Sequence, residues 1–531
     1  MQGFCPSDSK IPASVSDYPA FKERFMYRKK HTDQLSIYDF ILPFGGHLKE
    51  DNRWVVLRKL IDWNAIEEEY VKNFDNKNSG QDAYSSDLAF GSLYIQRKLG
   101  FSDRELVEQI AENPYMQYFI GLKEYTNEKP FDPSLLVTFR KRFPEQSINE
   151  IIEKMFIEEA ANSEDSDDND HHDNGSGVGG SSSTEIEKTS ESETNQGTLI
   201  IDASCTPADI AFPTDLELCD KARKWTEIIL DHYWRLHGSV NGKPEKPRTY
   251  REVARARFLK LNKRRKKSVK KIRKELRFQL GCIRRNLDYI EVYRLQYGTD
   301  DLLRVERERL STIKLFYTQQ KEMLDNKTHI VANRIVSLSQ PWIRPIVRGK
   351  SKAPTEFGAK ISISVVNGYT FVDRLSFDAY NEGESGEFER VVEEYKRRFG
   401  HYPARILADK IYRSKSNRDF CKQHDIHLSG PKLGRPGNDH AEQLQAELKE
   451  AGERNAVEGK FGNGKRKLGL SLIMAKLKET AGTMITMDIF ILNMERRLRQ
   501  KALFLCAFLR YRKKRISIRF IKREQTFGFA A

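Results

Sequence analysis

Residues Arg454 to Lys465, reading RNAVEGKFGNGK, place a carboxylate between two cations at near-helical spacing. Arg454, Glu458 and Lys465 stand four and then seven positions apart, so one continuous helix would align them in a single stripe. A carboxylate can hold a hard metal ion, and flanking cations can hold phosphate oxygens. That combination suits phosphodiester chemistry. The same spacing also describes an exposed helical turn with ordinary salt bridges, and Gly459, Gly462 and the Asn463-Gly464 pair could break the helix before Lys465. The stripe therefore needs support from other acids in the chain.

Two further acids follow predicted strands. Thr198-Leu199-Ile200-Ile201-Asp202-Ala203 is a short apolar, β-branched run, which predicts a buried strand delivering Asp202 at its end. Ala404–Ala408 predicts a second strand ending in Asp409. Between them, Ala359–Val366 and Tyr369–Ser376 flank Asn367-Gly368, a strong two-residue hairpin turn. A helix follows from about Gly386 to Phe399, with Phe388, Val391, Val392, Tyr395 and Phe399 on one face. Ile426–Ser429 reads as a further short strand, and a helix starting near Asn438 or Asp439 runs towards Glu458. An apolar helix from about Met484 to Arg497 closes the unit.

This order is how a ribonuclease H-like fold presents three acids to a pair of divalent cations. Clustered carboxylates repel one another and raise their own pKa values, which bound cations relieve. Two ions activate an attacking hydroxyl or water and stabilise the leaving 3′ oxygen. Magnesium is the natural choice, with manganese able to substitute, because its ligands are carboxylate oxygens, water and phosphate. Asp209, Asp215, Asp373 and Glu453 are rival acids. Strand-terminal placement favours Asp202 and Asp409, and a shared helix face with Arg454 favours Glu458.

The 531 residues imply two to four structural units, and the formal net charge is +15. Residues 162–197 form an acidic, Gly/Ser-rich linker with too few apolar side chains to offset the entropy of ordering it. The rest is correspondingly more basic, which points to nucleic acid. A membrane partner is disfavoured: no apolar run reaches spanning length and no amphipathic basic terminal helix is evident. The first residues lack a secretory apolar centre, and six scattered cysteines indicate a reducing compartment, so a cytoplasmic location is expected. Cys421, His424 and His427 lack a second ligand pair and are not read as a zinc site.

Before the linker, residues 1–51 read as an arm and 52–161 as a helical DNA-binding or dimerisation domain. Ser102-Asp103-Arg104-Glu105 there is a capping box, and Tyr94, Arg97, Lys98, Arg140, Lys141 and Arg142 mix aromatic and basic character. After it, 198–500 read as an α/β (α+β overall) ribonuclease H-like unit, interrupted at about 215–346 by a basic helical insertion; 501–531 are a basic tail. Residues 251–280 combine helical periodicity with a dense positive face including Lys263, Arg264, Arg265, Lys266 and Lys267. A DNA-phosphate track is favoured over a merely solvated charged helix or hairpin.

The chain resembles bacterial insertion-sequence transposases of the DDE type, in the group carrying Tyr-x2-Arg-x3-Glu-x6-Lys around the third acid. Arg454, Glu458 and Lys465 match that spacing, whereas the tyrosine position is Ala451. LIIDAS is similar to the first-acid motif, ILADKIYRSKSNRDFC to the second, and RPIVRGK with EFGAKISISVV to the second-strand region. SDLAFGSLYIQRKLGFSDRELVEQIAENPYMQYFIGL resembles the accessory domain of these enzymes. Better-known members carry a β-rich insertion between the second and third acids; here only about 48 residues separate them, and the long insert follows Asp202 instead.

The resemblance implies metal-dependent cleavage at transposon ends and transfer of the freed 3′-hydroxyl into target DNA. Asp202, Asp409 and Glu458 would bind the metals, and Arg454 and Lys465 would hold phosphates. The partners implied are double-stranded DNA, as terminal inverted repeats and target, and a second copy of the chain in a dimer assembled on DNA, near the bacterial nucleoid. The alternatives are a ribonuclease H-like nuclease that cuts without joining, and a non-catalytic DNA-binding relic.

Overall fold

A computed structural model describes residues 36–42, 45–74, 82–162, 195–238, 246–298, 301–347, 355–431 and 440–527, the last stretch with side chains to 502. Most of the expected arm and nearly all of the expected acidic linker lie outside the described residues.

Seven helices come first: α1 (Arg53–Leu60), α2 (Trp63–Lys72), α3 (Ser86–Leu99), α4 (Asp103–Glu112), α5 (Pro114–Phe119), α6 (Leu135–Arg142) and α7 (Glu145–Asn162). Their boundaries follow local chemistry. The Ser102 hydroxyl accepts the Glu105 N–H while the Glu105 carboxylate accepts the Ser102 N–H, so α4 opens on a full capping box. Gly100 adopts the left-handed conformation that ends α3.

Next come β1 (Thr198–Pro207) and four helices, α8 (Asp215–His237), α9 (Arg251–Asn262), α10 (Val269–Tyr297) and α11 (Arg304–Asp325). The expected insertion is thus helical. Its basic stretch is two helices rather than one, because the chain turns between Asn262 and Val269, where five consecutive cations would repel along a helix face. These helices bury cores of their own, built on residues such as Leu218, Phe258, Ile283 and Phe316 near the sheet and Tyr233, Ile290 and Tyr293 farther along.

The remaining elements are β2 (Arg344–Val347), β3 (Thr355–Val366), β4 (Tyr369–Ser376), α12 (Ser385–Phe399), β5 (Arg405–Leu407), α13 (Lys415–Gln423), β6 (His427–Leu428), α14 (His440–Asn463) and α15 (Lys478–Phe527). They complete a mixed sheet of order β2-β3-β1-β5-β6, with β4 also paired to β3. β1 is central, antiparallel to β3 and parallel to β5. The β3–β4 hairpin turns on Asn367 (φ 45°) and Gly368 (φ 76°), both in the left-handed region its right-handed twist requires. Phe388, Val391, Val392 and Tyr395 of α12 are buried in the main core, as their spacing predicts.

The closing helix differs from expectation. α15 is far longer than Met484–Arg497 and runs through the stretch read as a tail. From Ala481 to Asn493 every residue is buried, because this segment lies between the sheet and the N-terminal helices. Phe490 packs against Phe90 at 5.1 Å and Phe156 at 5.9 Å. Asn493 binds both backbone groups of Thr370 at 2.8 Å, satisfying the edge of β4 where no further strand pairs. Arg97 of α3 grips Asp488 bidentately at 2.8 and 2.5 Å in full burial.

The N-terminal helices and the sheet therefore share one continuous core. Several basic residues expected to touch DNA are spent on it. Arg97 and Arg140 are buried, Arg140 pairing with Asp103; Lys98 pairs with Glu495, and Arg142 packs over Phe74 at 4.4 Å. Of that set only Lys141 is exposed.

Arg97→Met should cost about 3–5 kcal/mol in chemical denaturation, since it strands the Asp488 charge in the core. Arg97→Met with Asp488→Leu should recover most of that loss; no recovery would mean that packing, not charge pairing, holds α3 to α15.

Candidate active site

Three backbone rungs decide where two of the acids lie. β1 and β5 pair as Thr198 with Arg405, Leu199 with Ile406 and Ile200 with Leu407. Carrying that register forward two residues sets Asp202 beside Asp409. β5 ends at Leu407, and Asp409 caps the 3₁₀ turn Lys410–Tyr412, its carboxylate accepting the Lys410 N–H at 2.7 Å. β1 does not end: Asp202 lies in mid-strand, opposite Ile363 of β3, rather than at the expected terminus. The strand continues because the residues after Asp202 (ASCTP) still pair with β3 although β5 has stopped.

α14 brings the third acid. It runs unbroken through Gly452, Gly459 and Gly462, anchored by buried Val457 and Phe461 one turn apart, and passes at Gly464 into a π-helical turn, Gly464–Leu468. The glycines do not end the helix. Arg454 and Glu458 form an i,i+4 ion pair at 3.0 Å, with the Glu458 side chain 52% exposed. Lys465, on the π turn, donates to the Ser204 hydroxyl at 2.8 Å. Ser204 lies two residues beyond Asp202 and so on the same strand face. Ala451, at the tyrosine position, is exposed on the same helix.

Electrostatics ties the three acids together. Burial pushes the Asp202 carboxyl up; the Ala203 N–H and the Arg454 charge pull it down, while Asp409 and Glu458 push it further up. Asp202 thus sits in the field of both other acids and of Arg454. Its carboxylate accepts only the adjacent Ala203 N–H, at 2.8 Å, and neither it nor Asp409 has an ion-pair partner among the described residues. The rivals do: Asp209 pairs with Lys476 at 2.6 Å, Asp215 with Arg334 at 2.7 Å, Asp373 with Arg398 at 3.2 Å and Glu453 with Arg405 at 2.7 Å.

Among the described residues no three His, Cys, Asp or Glu side chains stand close enough to enclose a metal ion. The donor set still fits magnesium, which takes one or two carboxylates and fills its remaining positions with water and phosphate oxygens. Asp409 and Glu458 are exposed and Asp202 is half-buried beside them. A cavity of about 310 Å³ at the root of the helical insert, between Phe212, Lys221, Gln340 and Lys476, includes none of them in its lining. An open site suits a polymer rather than an engulfed small molecule.

Lys263, Arg264, Arg265, Lys266 and Lys267 form the exposed turn between α9 and α10. Among the described residues no acid pairs with them, and of their side chains only that of Lys267 has a polar contact, to Asn262 at 2.7 Å. The structure does not bring this turn into contact with the three acids. Ser204 was not singled out from the sequence; period-two spacing from Asp202 would have placed it on the same face.

Residues 406–495 match the transposase DDE domain family, and residues 43–142 match a transposase domain family, DUF772. The first span takes in Asp409, Arg454, Glu458 and Lys465. An uncharacterised protein of Rhizobium meliloti, ORF8 in the nfe locus, is 32% identical over 98 residues, which is 18% of this chain and 46% of that protein. The chain thus spans about half the length of that relative. No solved structure matches the chain. No helix among the described residues is long and apolar enough to cross a membrane.

The raised Asp202 pKa has a sign that can be tested in metal-free protein. The folded chain keeps this proton to higher pH than the unfolded chain, so stability declines as pH rises from the ordinary carboxylate range through the raised value. Asp202→Asn should therefore raise the thermal midpoint at neutral pH in chelator, with the gain shrinking towards about pH 4. A lowered midpoint at neutral pH would mean that the carboxylate is stabilising as it stands.

Proposed function

We propose that the chain is a DDE transposase of a bacterial insertion sequence, which cleaves DNA at transposon ends and joins the freed 3′-hydroxyl to target DNA; the matches to two transposase domain families support this reading. The observation that carries this reading is the register that sets Asp202 beside Asp409, with Glu458 acting on Asp202 from α14. The strand order β4-β3-β1-β5-β6, antiparallel over its first three members and parallel over the rest, supports a ribonuclease H-like unit.

In this reading Asp202, Asp409 and Glu458 hold two Mg²⁺ ions, for which Mn²⁺ can substitute. The bound ions supply Lewis acidity to the attacking and leaving oxygens. Glu458 would give up its Arg454 partner for this role, and the guanidinium would then be available to a phosphate near the scissile bond. Lys465, held over β1 by Ser204, adds a second cation on the Asp202 face, where developing phosphoryl charge is stabilised. The cationic turn of the insert binds the backbone of duplex DNA away from the reacting bond. Two ends must be processed together, so the working form is a dimer on DNA bearing terminal inverted repeats, located with the nucleoid in the cytoplasm.

Asp409→Asn should lower cleavage of an end-bearing duplex by at least about a thousand-fold while leaving end binding near the parent level. Full cleavage by that variant would remove the assignment. Pre-cleaved ends incubated with target and Mg²⁺ should yield joined product; cutting without joining would favour a plain nuclease. Neutralising Lys263 to Lys267 together should weaken DNA binding and flatten its dependence on salt by up to about four units of slope. An unchanged slope would place these five cations in solvent.

A further inference from the structure

Behind Asp202 lies a tyrosine that the reaction scheme does not use. Tyr412 closes the 3₁₀ turn capped by Asp409, its N–H donating to the Asp409 carbonyl at 3.0 Å. Its own carbonyl accepts from the buried Asn417 amide at 2.8 Å, and that amide also reaches Gly383 at 3.1 Å. The turn is thereby pinned from behind. The side chain points inward: it is 3% exposed, with its ring 6.4 Å from that of Phe388.

A buried phenol normally finds a hydrogen-bond partner. Among the described residues no group bonds the Tyr412 hydroxyl. Tyr412 and Asp202 instead line a common recess of about 10 Å³, together with Ser362, Glu382 and Arg390. That is room for a single water, given polar partners. The other polar walls are largely engaged: Ser362 with Tyr380 at 2.7 Å, Glu382 with Lys360, Arg390 with Glu387 at 3.2 Å, and Asp373 through one of its oxygens with Ser364 at 2.9 Å. Asp202, Tyr412 and the second oxygen of Asp373, which has no hydrogen-bond partner among the described residues, remain to share the space, enough polar groups to hold one water. Of the charges acting on the phenol, that of Asp202 is the largest.

We propose that Tyr412 is a positioning residue for Asp202, its hydroxyl fixing the Asp202 carboxylate towards Asp409 through one water seated in this recess. The turn that presents the second acid thus also orients the first. A single 3₁₀ turn, Lys410–Tyr412, links the two. Losing the hydroxyl leaves the carboxylate oriented by the Ala203 N–H alone, which costs affinity for any cation the two acids bind together.

The inference rests on the reading of Asp202 as a metal ligand, and the test separates the two. Mn²⁺ binding to the full chain, without DNA, is followed by the electron paramagnetic resonance signal of the free ion. The proteins compared are the parent, Tyr412→Phe, Asp202→Asn and the double variant. Tyr412→Phe should weaken Mn²⁺ binding roughly ten-fold, the loss typical of removing a group that orients a ligand. In the Asp202→Asn background it should have no further effect. Parent-like affinity in Tyr412→Phe, beside a clear loss in Asp202→Asn, would overturn the proposal and leave the metal site standing. Parent-like affinity in Asp202→Asn would instead sink the metal-site reading and the inference with it. If Tyr412→Phe also lowers the thermal midpoint, the double variant decides. Loss that persists without the Asp202 carboxylate is structural and counts against the proposal; loss that vanishes there supports it.

Discussion

The parallel pairing of β1 with β5 is the constraint on which the site depends. It has only three rungs, and it stops at Leu407 while β1 runs on to Pro207. Beyond that point β1 keeps its antiparallel partner β3 but, among the described residues, has no strand on its other flank. The acidic turn, α14 and the π turn occupy the space beside it. Farther along, Ile473 donates to Pro207 and accepts from Asp209, at 2.8 and 3.0 Å, so the chain after the π turn closes that flank. A longer β5 in the same register would keep Asp409 opposite Asp202 but continue backbone pairing beyond both acids and close that flank. The short strand thus places the two carboxylates side by side at the edge of backbone pairing, where side chains and solvent can reach them.

Much of this was legible because it follows from local rules. The Asn367-Gly368 turn needs two left-handed residues and has the pair best suited to it. The α12 face is buried at the spacing a 3.6-residue period demands. Glu458 and Arg454 meet because four residues make one turn.

What was not legible depends on distant partners. Nothing local in LIIDASCTP says that pairing with β3 outlasts pairing with β5, so Asp202 read as terminal when it is interior. Glycine lowers helix propensity by roughly 1 kcal/mol, and three of them between Gly452 and Gly462 argue for a break. Val457 and Phe461, buried against the core, outweigh that penalty, as tertiary packing commonly does. The basic residues of α3 and α6 looked like a nucleic-acid surface because sequence cannot reveal the acids they meet. Asp488, the partner of Arg97, is 391 residues away. Nor could it reveal that α15 passes between the N-terminal helices and the sheet, joining what composition suggested were separate cores.

The contrast between paired and unpaired acids gives the site its chemical logic. A carboxylate beside a fixed guanidinium or ammonium is already neutralised, and binding a cation there would first have to break that contact. Asp215, Asp373 and Glu453 are in this state, and Asp209 is paired as well, though with the exposed Lys476. Asp202 and Asp409 are held only by N–H groups of their immediate neighbours, which orient an oxygen without cancelling the charge. Glu458 is intermediate: its Arg454 partner is on the same helix and both side chains are partly exposed, so their attraction is worth only about 0.3–0.5 kcal/mol. That pair can open without strain when a phosphate competes for the arginine and a cation for the glutamate. In the proposed reading, two carboxylates left unneutralised beside a third that is easily released form a negative site that an incoming metal and polyanion would complete together.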